Sequence, residues 1–184
     1  MLDSLCRLCR ALNEHEVNYL LVGGHAVAAH GYPRATQDVD LVVALTPENT
    51  LRAIAALTSI GYKPFAPVPA QQFCDPTMRE TWRREKGAVV FQMCSANPID
   101  FPVDLFVSEP FDFWREHGAA VRVEIGPDLF VPVVTLRTLI AMKRAAGRDK
   151  DKLDLQELEK MGIAMEIAED KPKKDTAKKS EPTP

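Results

Sequence analysis

The sequence predicts a fold of the α/β (α+β) class, in which a mixed sheet is flanked by helices. Two observations lead to this prediction. Strand-like apolar runs alternate with helical segments through the first half of the chain. A hairpin pattern then surrounds the turn residues Gly126, Pro127 and Asp128, and two further helical segments follow it.

Helices are predicted from an opening amphipathic stripe, from alanine-rich runs and from capping residues. Thr46 followed by Pro47, and later Thr135, are typical N-cap sequences. Gly61 and Gly147 are typical of helix ends. The predicted helices, in chain order, are residues 2–17, 26–30, 46–60, 111–117, 135–146 and 149–161.

Strands are predicted where short apolar runs are bounded by glycine, proline or charged residues. Residues 38–45 give the strongest of these patterns. Residues 64–76 contain four prolines and are therefore predicted to form a loop. The predicted strands, in chain order, are residues 19–22, 38–45, 88–94, 103–107, 121–125 and 129–134.

The chain of 184 residues has the size of one domain, and we expect residues 1–165 to form it. Residues 166–184 are rich in charged residues and proline, which predicts a disordered charged tail. The net charge of -3 argues against a general nucleic-acid coat protein. Neither a membrane-spanning apolar run nor a signal-peptide pattern occurs, so we expect a cytoplasmic protein without membrane attachment.

Cys6 and Cys9 form a C-x-x-C pattern in the opening helix. A zinc site would need two further ligands at matching spacing, and the sequence has no second pair of that kind. We interpret both thiols as half-buried side chains of an amphipathic helix. A redox or metal role is the alternative.

Asp38 and Asp40 are the first candidates for chemistry. Side chains two residues apart on a strand project from the same face, so the two carboxylates would lie side by side. Their mutual repulsion needs a neutralising partner, and Mg²⁺ prefers carboxylate, water and phosphate oxygens. A pair of exposed edge carboxylates is the alternative.

Gly23 and Gly24 end the strand that precedes these carboxylates, and a short helix follows them. Glycines allow a backbone to approach a ligand closely, and backbone N–H groups at a helix start can bind phosphate. A tight strand-to-helix turn without a ligand has the same pattern.

Asp104 is a lone charge inside an apolar strand and should therefore have a partner. Together with Asp38 and Asp40 it would form a cluster of three carboxylates, as in sites that bind two metal ions. Asp100 has similar flanks and is a competing candidate for the third carboxylate. We prefer Asp104 because its flanks are more typical of a strand.

A basic cluster surrounds Trp82 and could contact RNA phosphates and a base. A solvated charged helix is the interpretation we favour there. The basic residues are Arg79, Arg83, Arg84 and Lys86.

Three blocks of the sequence resemble the nucleotidyltransferase superfamily. Residues 23–31, GGHAVAAHG, and residues 34–41, RATQDVDL, are similar to its signature, and most similar to the branch that includes AbiEii-type toxins of toxin–antitoxin systems. That branch follows the glycine pair with an R-x-T-x-D-[IV]-D-L block. Residues 139–155, LIAMKRAAGRDKDKLDL, resemble its K-x-x-x-x-R-x-K-D-x-x-D-like segment.

The resemblance implies a nucleotidyltransferase-like fold and assigns roles to individual residues. Asp38, Asp40 and Asp104 would be catalytic and hold Mg²⁺ (or Mn²⁺). The nucleotide-binding residues would be Gly23, Gly24, Arg34, Lys143 and Arg148, with solvated surface charges as the alternative for the last three.

The implied reaction moves a nucleoside monophosphate from a nucleoside triphosphate to a hydroxyl group. The resemblance favours tRNA or a protein as the acceptor and implies an antitoxin partner. A catalytically inactive member that binds only nucleotide or a partner protein is the alternative function.

Overall fold

The computed structural model describes the backbone of residues 2–169 and the side chains of residues 3–162. Its elements alternate as the sequence predicts, and the α/β class with a mixed sheet is confirmed. The helices are α1 (Leu2–Glu14), α2 (Gly23–Ala29), α3 (Pro47–Ser59), α4 (Pro76–Lys86), α5 (Phe113–Ala119), α6 (Leu136–Ala146) and α7 (Asp149–Glu169). The strands are β1 (Tyr19–Leu21), β2 (Val39–Val43), β3 (Tyr62–Pro64), β4 (Val90–Ser95), β5 (Val103–Phe106), β6 (Val121–Gly126) and β7 (Leu129–Val133).

The seven strands form one sheet in the order β3-β4-β5-β2-β1-β7-β6. The pairs β2–β5 and β1–β7 are parallel, whereas the other neighbours are antiparallel. The central strands are the most apolar, and Leu41 and Leu105 are fully buried. The middle of the sheet therefore lies in the hydrophobic core, and its strands β2 and β5 carry Asp40 and Asp104.

Helices cover the sheet and define its ends. α1 packs against α3, and α3 packs against β2 and β3. α2 packs on β2 and against α6, which in turn packs against α7. Thr135 accepts a hydrogen bond from the Thr138 N–H and Gly147 adopts φ 62°, so the predicted start and end of α6 are confirmed.

The predicted loop over residues 64–76 is more structured than expected. The chain forms the short strand β3 and then a 3₁₀ helix over Ala70–Cys74. β3 is only three residues long and ends at Pro64, which obscures its pattern in the sequence. Asp75 then caps α4 by accepting from the N–H groups of Thr77 and Met78.

The predicted tail, residues 166–184, begins too early in the chain. α7 continues to Glu169, so residues 166–169 of the predicted tail are helical. The remainder of that prediction, residues 170–184, lies outside the described residues.

Candidate active site

Asp40 and Asp104 are brought together by the pairing of the two central parallel strands. β2 and β5 align with Asp40 opposite Asp104 and with Leu41 opposite Leu105. Because side chains alternate along a strand, the two leucines enter the core while the two carboxylates share the other face. This register forms the centre of the candidate site.

Asp38 lies in a bend directly before β2 instead of inside the strand, as the sequence had predicted. Its carboxylate accepts a hydrogen bond from the Thr36 hydroxyl at 3.0 Å. Asp38 is close enough to Asp40 and Asp104 to raise the pKa of both. The three predicted carboxylates therefore form one electrostatic cluster.

The glycine turn packs directly against this cluster. Gly23 has φ +65°, and a Cβ atom at this position would lie 1.8 Å from Oδ2 of Asp40. A Cβ on Gly24 would lie 2.5 Å from the Thr36 hydroxyl. Both positions exclude any side chain, so the backbone of the turn is held at contact distance from the carboxylates.

The carboxylates repel one another. Burial, together with the charges of Asp38 and Asp104, raises the pKa of Asp40 to about 6. Burial also raises the pKa of Asp104, although a 2.9 Å hydrogen bond from the Gln92 side-chain amide opposes the rise. The charges of Lys143 and Arg148 offset the rise at Asp40 only in part, and a concentration of negative charge that the fold neutralises incompletely is the property expected of a cation site.

Asp100 is excluded from this cluster by its own partners. It forms an ion pair with Arg7 and accepts a hydrogen bond from the Ser95 hydroxyl at 2.7 Å. Burial alone would raise the pKa of Asp100, but Ser95 and Arg7 outweigh it and hold that pKa below its ordinary value. Of the two candidates for the third carboxylate, only Asp104 lies beside Asp40.

The donor set fits Mg²⁺ together with phosphate oxygens. Within residues 3–162, no three His, Cys, Asp or Glu side chains surround one point closely enough to hold a metal ion. Mg²⁺ is usually bound through one or two carboxylates, with water and substrate phosphates completing the octahedron. One or two of Asp38, Asp40 and Asp104 could therefore supply the protein ligands, and a nucleotide would supply further ones.

A buried ionic network adjoins the carboxylates and connects α6 to α7. The Lys143 ammonium is only 4% exposed and lies 3.0 Å from Asp151 and 2.8 Å from Asp154. Burial alone would raise the pKa of Asp151, but hydrogen bonds from Arg148 and Lys143 hold it below its ordinary value. Two aspartates of α7 thus fix a lysine whose charge also lowers the pKa of Asp40.

Arg34 and Arg148 join the same network from opposite sides. Arg34 donates to Asp154 at 2.9 Å, and its buried Nε has no hydrogen-bond partner among the described residues. The Arg148 guanidinium donates to Asp151 at 2.7 Å and remains largely exposed. Its hydrogen bond to Asp151 and the charges of Asp40 and Asp38 raise the Arg148 pKa. All five predicted nucleotide-binding residues therefore surround the cluster.

A cleft of about 410 Å³ opens beside Asp38. It lies between the loop that precedes β2 and the first turns of α7. Its lining combines cations, carboxylates and the Tyr32 ring with exposed Leu153. The volume is in the range of small-molecule sites, so a nucleotide fragment or a small acceptor would fit there.

The basic cluster around Trp82 does not form an RNA-binding face of the kind considered from the sequence. Trp82 is only 7% exposed and stacks on Phe91 with ring centroids 5.2 Å apart. Arg79 is buried and donates to the Phe73 carbonyl at 2.6 Å. Arg83 pairs with Glu80 on the same helix. The Trp82 ring packs in the hydrophobic core instead.

Cys6 and Cys9 lie on α1, as expected, and the structure gives no metal-site geometry around them within residues 3–162. Cys9 is fully buried, and burial raises its pKa to about 12. The Cys6 thiol contacts the Ile125 carbonyl at 3.3 Å. The burial of Cys9 and the contact of Cys6 both agree with a packing role.

Solved structures of similar fold cover nearly the whole chain. The antibiotic-resistance factor ANT(2'')-Ia matches with a TM-score of 0.55 at 12% identity, over 91% of this chain and 92% of that one. The lincomycin-bound lincosamide antibiotic adenylyltransferase LnuA matches with 0.56 at 14% identity, over 86% and 96%. This is the nucleotidyltransferase fold. ANT(2'')-Ia in complex with adenylyl-2''-tobramycin also matches, with 0.53 at 13% identity, over 91% and 98%.

At sequence identities this low, the likeness establishes the nucleotidyltransferase fold alone. No family model matches the chain. No curated protein matches it either. Among the described residues, no helix of this fold is both long and apolar enough to cross a membrane.

Replacement of Lys143 by Met tests the ionic network. The change leaves Asp151 and Asp154 buried without their shared cation, so we expect a loss of about 3 kcal/mol in the free energy of unfolding. Urea denaturation at pH 7 measures it. Lys152→Met is the matched control, because its ion pair with Asp149 is exposed and should contribute less than about 1 kcal/mol. Equal losses in the two variants would contradict the buried network.

Two features of the site were missed in the sequence. Gln92 is a lone polar residue in an apolar strand. The same pattern predicts Asp104 as a site residue, so it could also have predicted Gln92. Asp151 lies inside the third resembling block, but its burial depends on how α7 packs against α6. Spacing along the sequence does not predict that packing.

Proposed function

We propose that this protein is a metal-dependent nucleotidyltransferase whose catalytic carboxylates are Asp38, Asp40 and Asp104. The observation that carries the proposal is the register of β2 and β5, which places Asp40 directly beside Asp104. The raised pKa of Asp40, with a glycine backbone in contact with its carboxylate, supports a site built for a cation and phosphate.

In the proposed reaction, a hydroxyl oxygen of the acceptor attacks the α-phosphorus of a nucleoside triphosphate. The bond from the α-phosphorus to its bridging oxygen breaks, and pyrophosphate leaves. Bound Mg²⁺ would neutralise phosphate charge and favour deprotonation of the attacking hydroxyl. Asp38 and Asp40 would hold the metal.

The remaining residues of the site would orient the acceptor and the triphosphate. Gln92 donates to Oδ1 of Asp104, which leaves Oδ2 free to accept the proton of the attacking hydroxyl. Gly23 and Gly24 allow the triphosphate to lie along the turn. Lys143, Arg34 and Arg148 would contact the phosphates with N–H groups that their aspartate partners leave free.

The acceptor is the finer part of the proposal. The block at residues 34–41 favours tRNA or a protein hydroxyl and a role as the toxin of a toxin–antitoxin pair. A small hydroxyl-bearing molecule is the second candidate, and a specific observation favours it. Matching structures include an adenylyltransferase bound to lincomycin and an enzyme bound to adenylyl-2''-tobramycin.

The test uses each α-labelled nucleoside triphosphate with Mg²⁺ and three acceptor pools. The pools are total RNA, total cell protein, and the two named antibiotics. Label in RNA or protein supports the macromolecular acceptor, and label in an antibiotic supports the small one. Nucleotide binding that is independent of Mg²⁺, with no label in any pool, would indicate a non-catalytic binding protein and contradict the proposal.

The pair Asp104→Asn and Asp100→Asn tests the assignment of the third carboxylate. We expect Asp104→Asn to lower the transfer rate by about 100-fold or more, because it removes a charge at the reacting centre. Asp100→Asn should retain most activity at a temperature where both variants are folded, since Asp100 faces Arg7. Loss in Asp100→Asn with retention in Asp104→Asn would reverse the assignment.

A further inference from the structure

β6 is the outermost strand at one end of the sheet, and it exposes an unusual pattern of charge. No described strand pairs with its outer edge. Arg122 and Glu124 project side by side from one face, both exposed, and neither has an ion-pair partner among the described residues. Val121 is 44% exposed. An edge of this kind is open to strand addition.

The backbone of β6 has hydrogen-bonding groups directed outward at the same two positions. Arg122 lies opposite Pro132 of β7, which has no N–H to donate. In an antiparallel ladder the residues alternate between pairs that exchange hydrogen bonds and pairs that do not. The Arg122–Pro132 pair is therefore of the second kind. The N–H and C=O groups of Arg122, and by alternation those of Glu124, face away from β7.

The charges on this edge are self-complementary. If a second copy of β6 pairs antiparallel about Val123, Arg122 lies opposite Glu124 of the partner subunit, and the reverse pair forms by symmetry. Isolated charges on an edge usually prevent pairing. Alternating opposite charges instead select one partner in one register, because cross-strand pairs of opposite charge are favourable.

Two exposed aromatic side chains belong to the elements that adjoin β6 in the sheet and in the chain. Phe130 lies beside Glu124 on β7 and is 47% exposed. Trp114 of α5, the helix that leads into β6, is 56% exposed and lies 6.0 Å from the His117 ring. Exposed aromatic side chains are typical of protein–protein contacts.

We propose that β6 is the dimer interface of this protein, and that two copies pair antiparallel about Val123 to form one continuous sheet. The interface is isologous, because each copy offers the same strand and the same two charges. It lies at the opposite end of the sheet from β3, and it is independent of the proposed catalytic activity.

Sedimentation of the full-length protein over a concentration series tests this proposal. The wild type should show a monomer–dimer equilibrium. Arg122→Glu and Glu124→Arg each place like charges opposite each other twice, and each should raise the dimer Kd by roughly 30-fold. Lys63→Glu, an equal charge reversal on the exposed residue of edge strand β3, is the matched control and should leave Kd unchanged.

Charge exchange makes the test specific for the register. An equimolar mixture of Arg122→Glu and Glu124→Arg should form heterodimers, because two negative positions then face two positive ones. The double variant R122E/E124R should dimerise as the wild type does. A monomeric wild type, an unchanged Kd in both single variants, or a mixture that remains monomeric would each overturn the proposal.

Discussion

The variant Asp40→Asn is expected to abolish nucleotidyl transfer and, at neutral pH without metal, to be more stable than the wild type. Asp40 is crowded by Asp38 and Asp104, and the fold disfavours its charged form. Asparagine has the same shape without the charge, so it removes the repulsion and the proposed metal ligand together. The transfer rate should fall by about 1000-fold.

The stability gain depends on pH in a defined direction. The pKa of Asp40 is raised from 3.8 to about 6 in the folded protein. A raised carboxyl pKa leaves stability intact below pH 4 and lowers it as the pH rises through 6. The wild type should therefore be less stable than Asp40→Asn by about 2 kcal/mol at pH 7.5, and equally stable near pH 3.5.

Chemical denaturation of both proteins in EDTA at these two pH values measures the difference. Added Mg²⁺ and nucleotide should then stabilise the wild type and leave Asp40→Asn unchanged, because only the wild type keeps the proposed ligand. A variant that is less stable than the wild type at pH 7.5 would show that the carboxylate is compensated in some other way.

Gly23→Ala is expected to impair both the fold and the site. The residue adopts φ +65°, where alanine costs about 1–2 kcal/mol. Its methyl group would also lie 1.8 Å from Oδ2 and 2.8 Å from Cβ of Asp40, so the strand or the turn must move. We expect a total loss of about 3 kcal/mol and, through displacement of Asp40, at least a roughly 100-fold loss of transfer activity.

The variant Gly87→Ala separates the cost of backbone strain from that of the steric clash with Asp40. Gly87 has φ +60° at the end of α4, and nothing lies within 4 Å of an added Cβ. This control has the backbone strain alone and should lose about 1 kcal/mol with its activity retained. Thermal denaturation and transfer assays on the two variants give both readouts. If Gly23→Ala behaved like Gly87→Ala, the contact between Gly23 and Asp40 would not constrain the site.

Local patterns in the sequence predicted the three carboxylates that lie together, although Asp38 lies in a bend before β2 and not inside the strand. Asp38 and Asp40 are two apart, and Asp104 is the lone charge of an apolar strand. The sequence could not decide between Asp100 and Asp104. That choice depends on which residue of β5 lies opposite Asp40, and on Arg7 from α1 reaching Asp100. Both are contacts between segments distant in the chain.

The fold class was predictable for the same reason, whereas short elements were not. Long amphipathic helices and apolar strands carry a periodic signal that the three-residue β3 and the five-residue 3₁₀ helix lack. The basic residues of the site were likewise predicted only in part. Lys143, Arg34 and Arg148 were selected as cations, but their joint binding to Asp151 and Asp154 follows from the docking of α7.

The pairing of Arg34 with Asp154 has a consequence for the order of events during protein synthesis. The two residues are 120 positions apart, and the aspartate belongs to the last described helix. At a synthesis rate of about 5–20 residues per second, Arg34 leaves the ribosome roughly 10 s before Asp154. The nascent chain therefore holds the proposed catalytic carboxylates before Asp154 can position Arg34. The proposed site becomes complete only when α7 has been made, so a nascent polypeptide that lacks α7 should not transfer nucleotide.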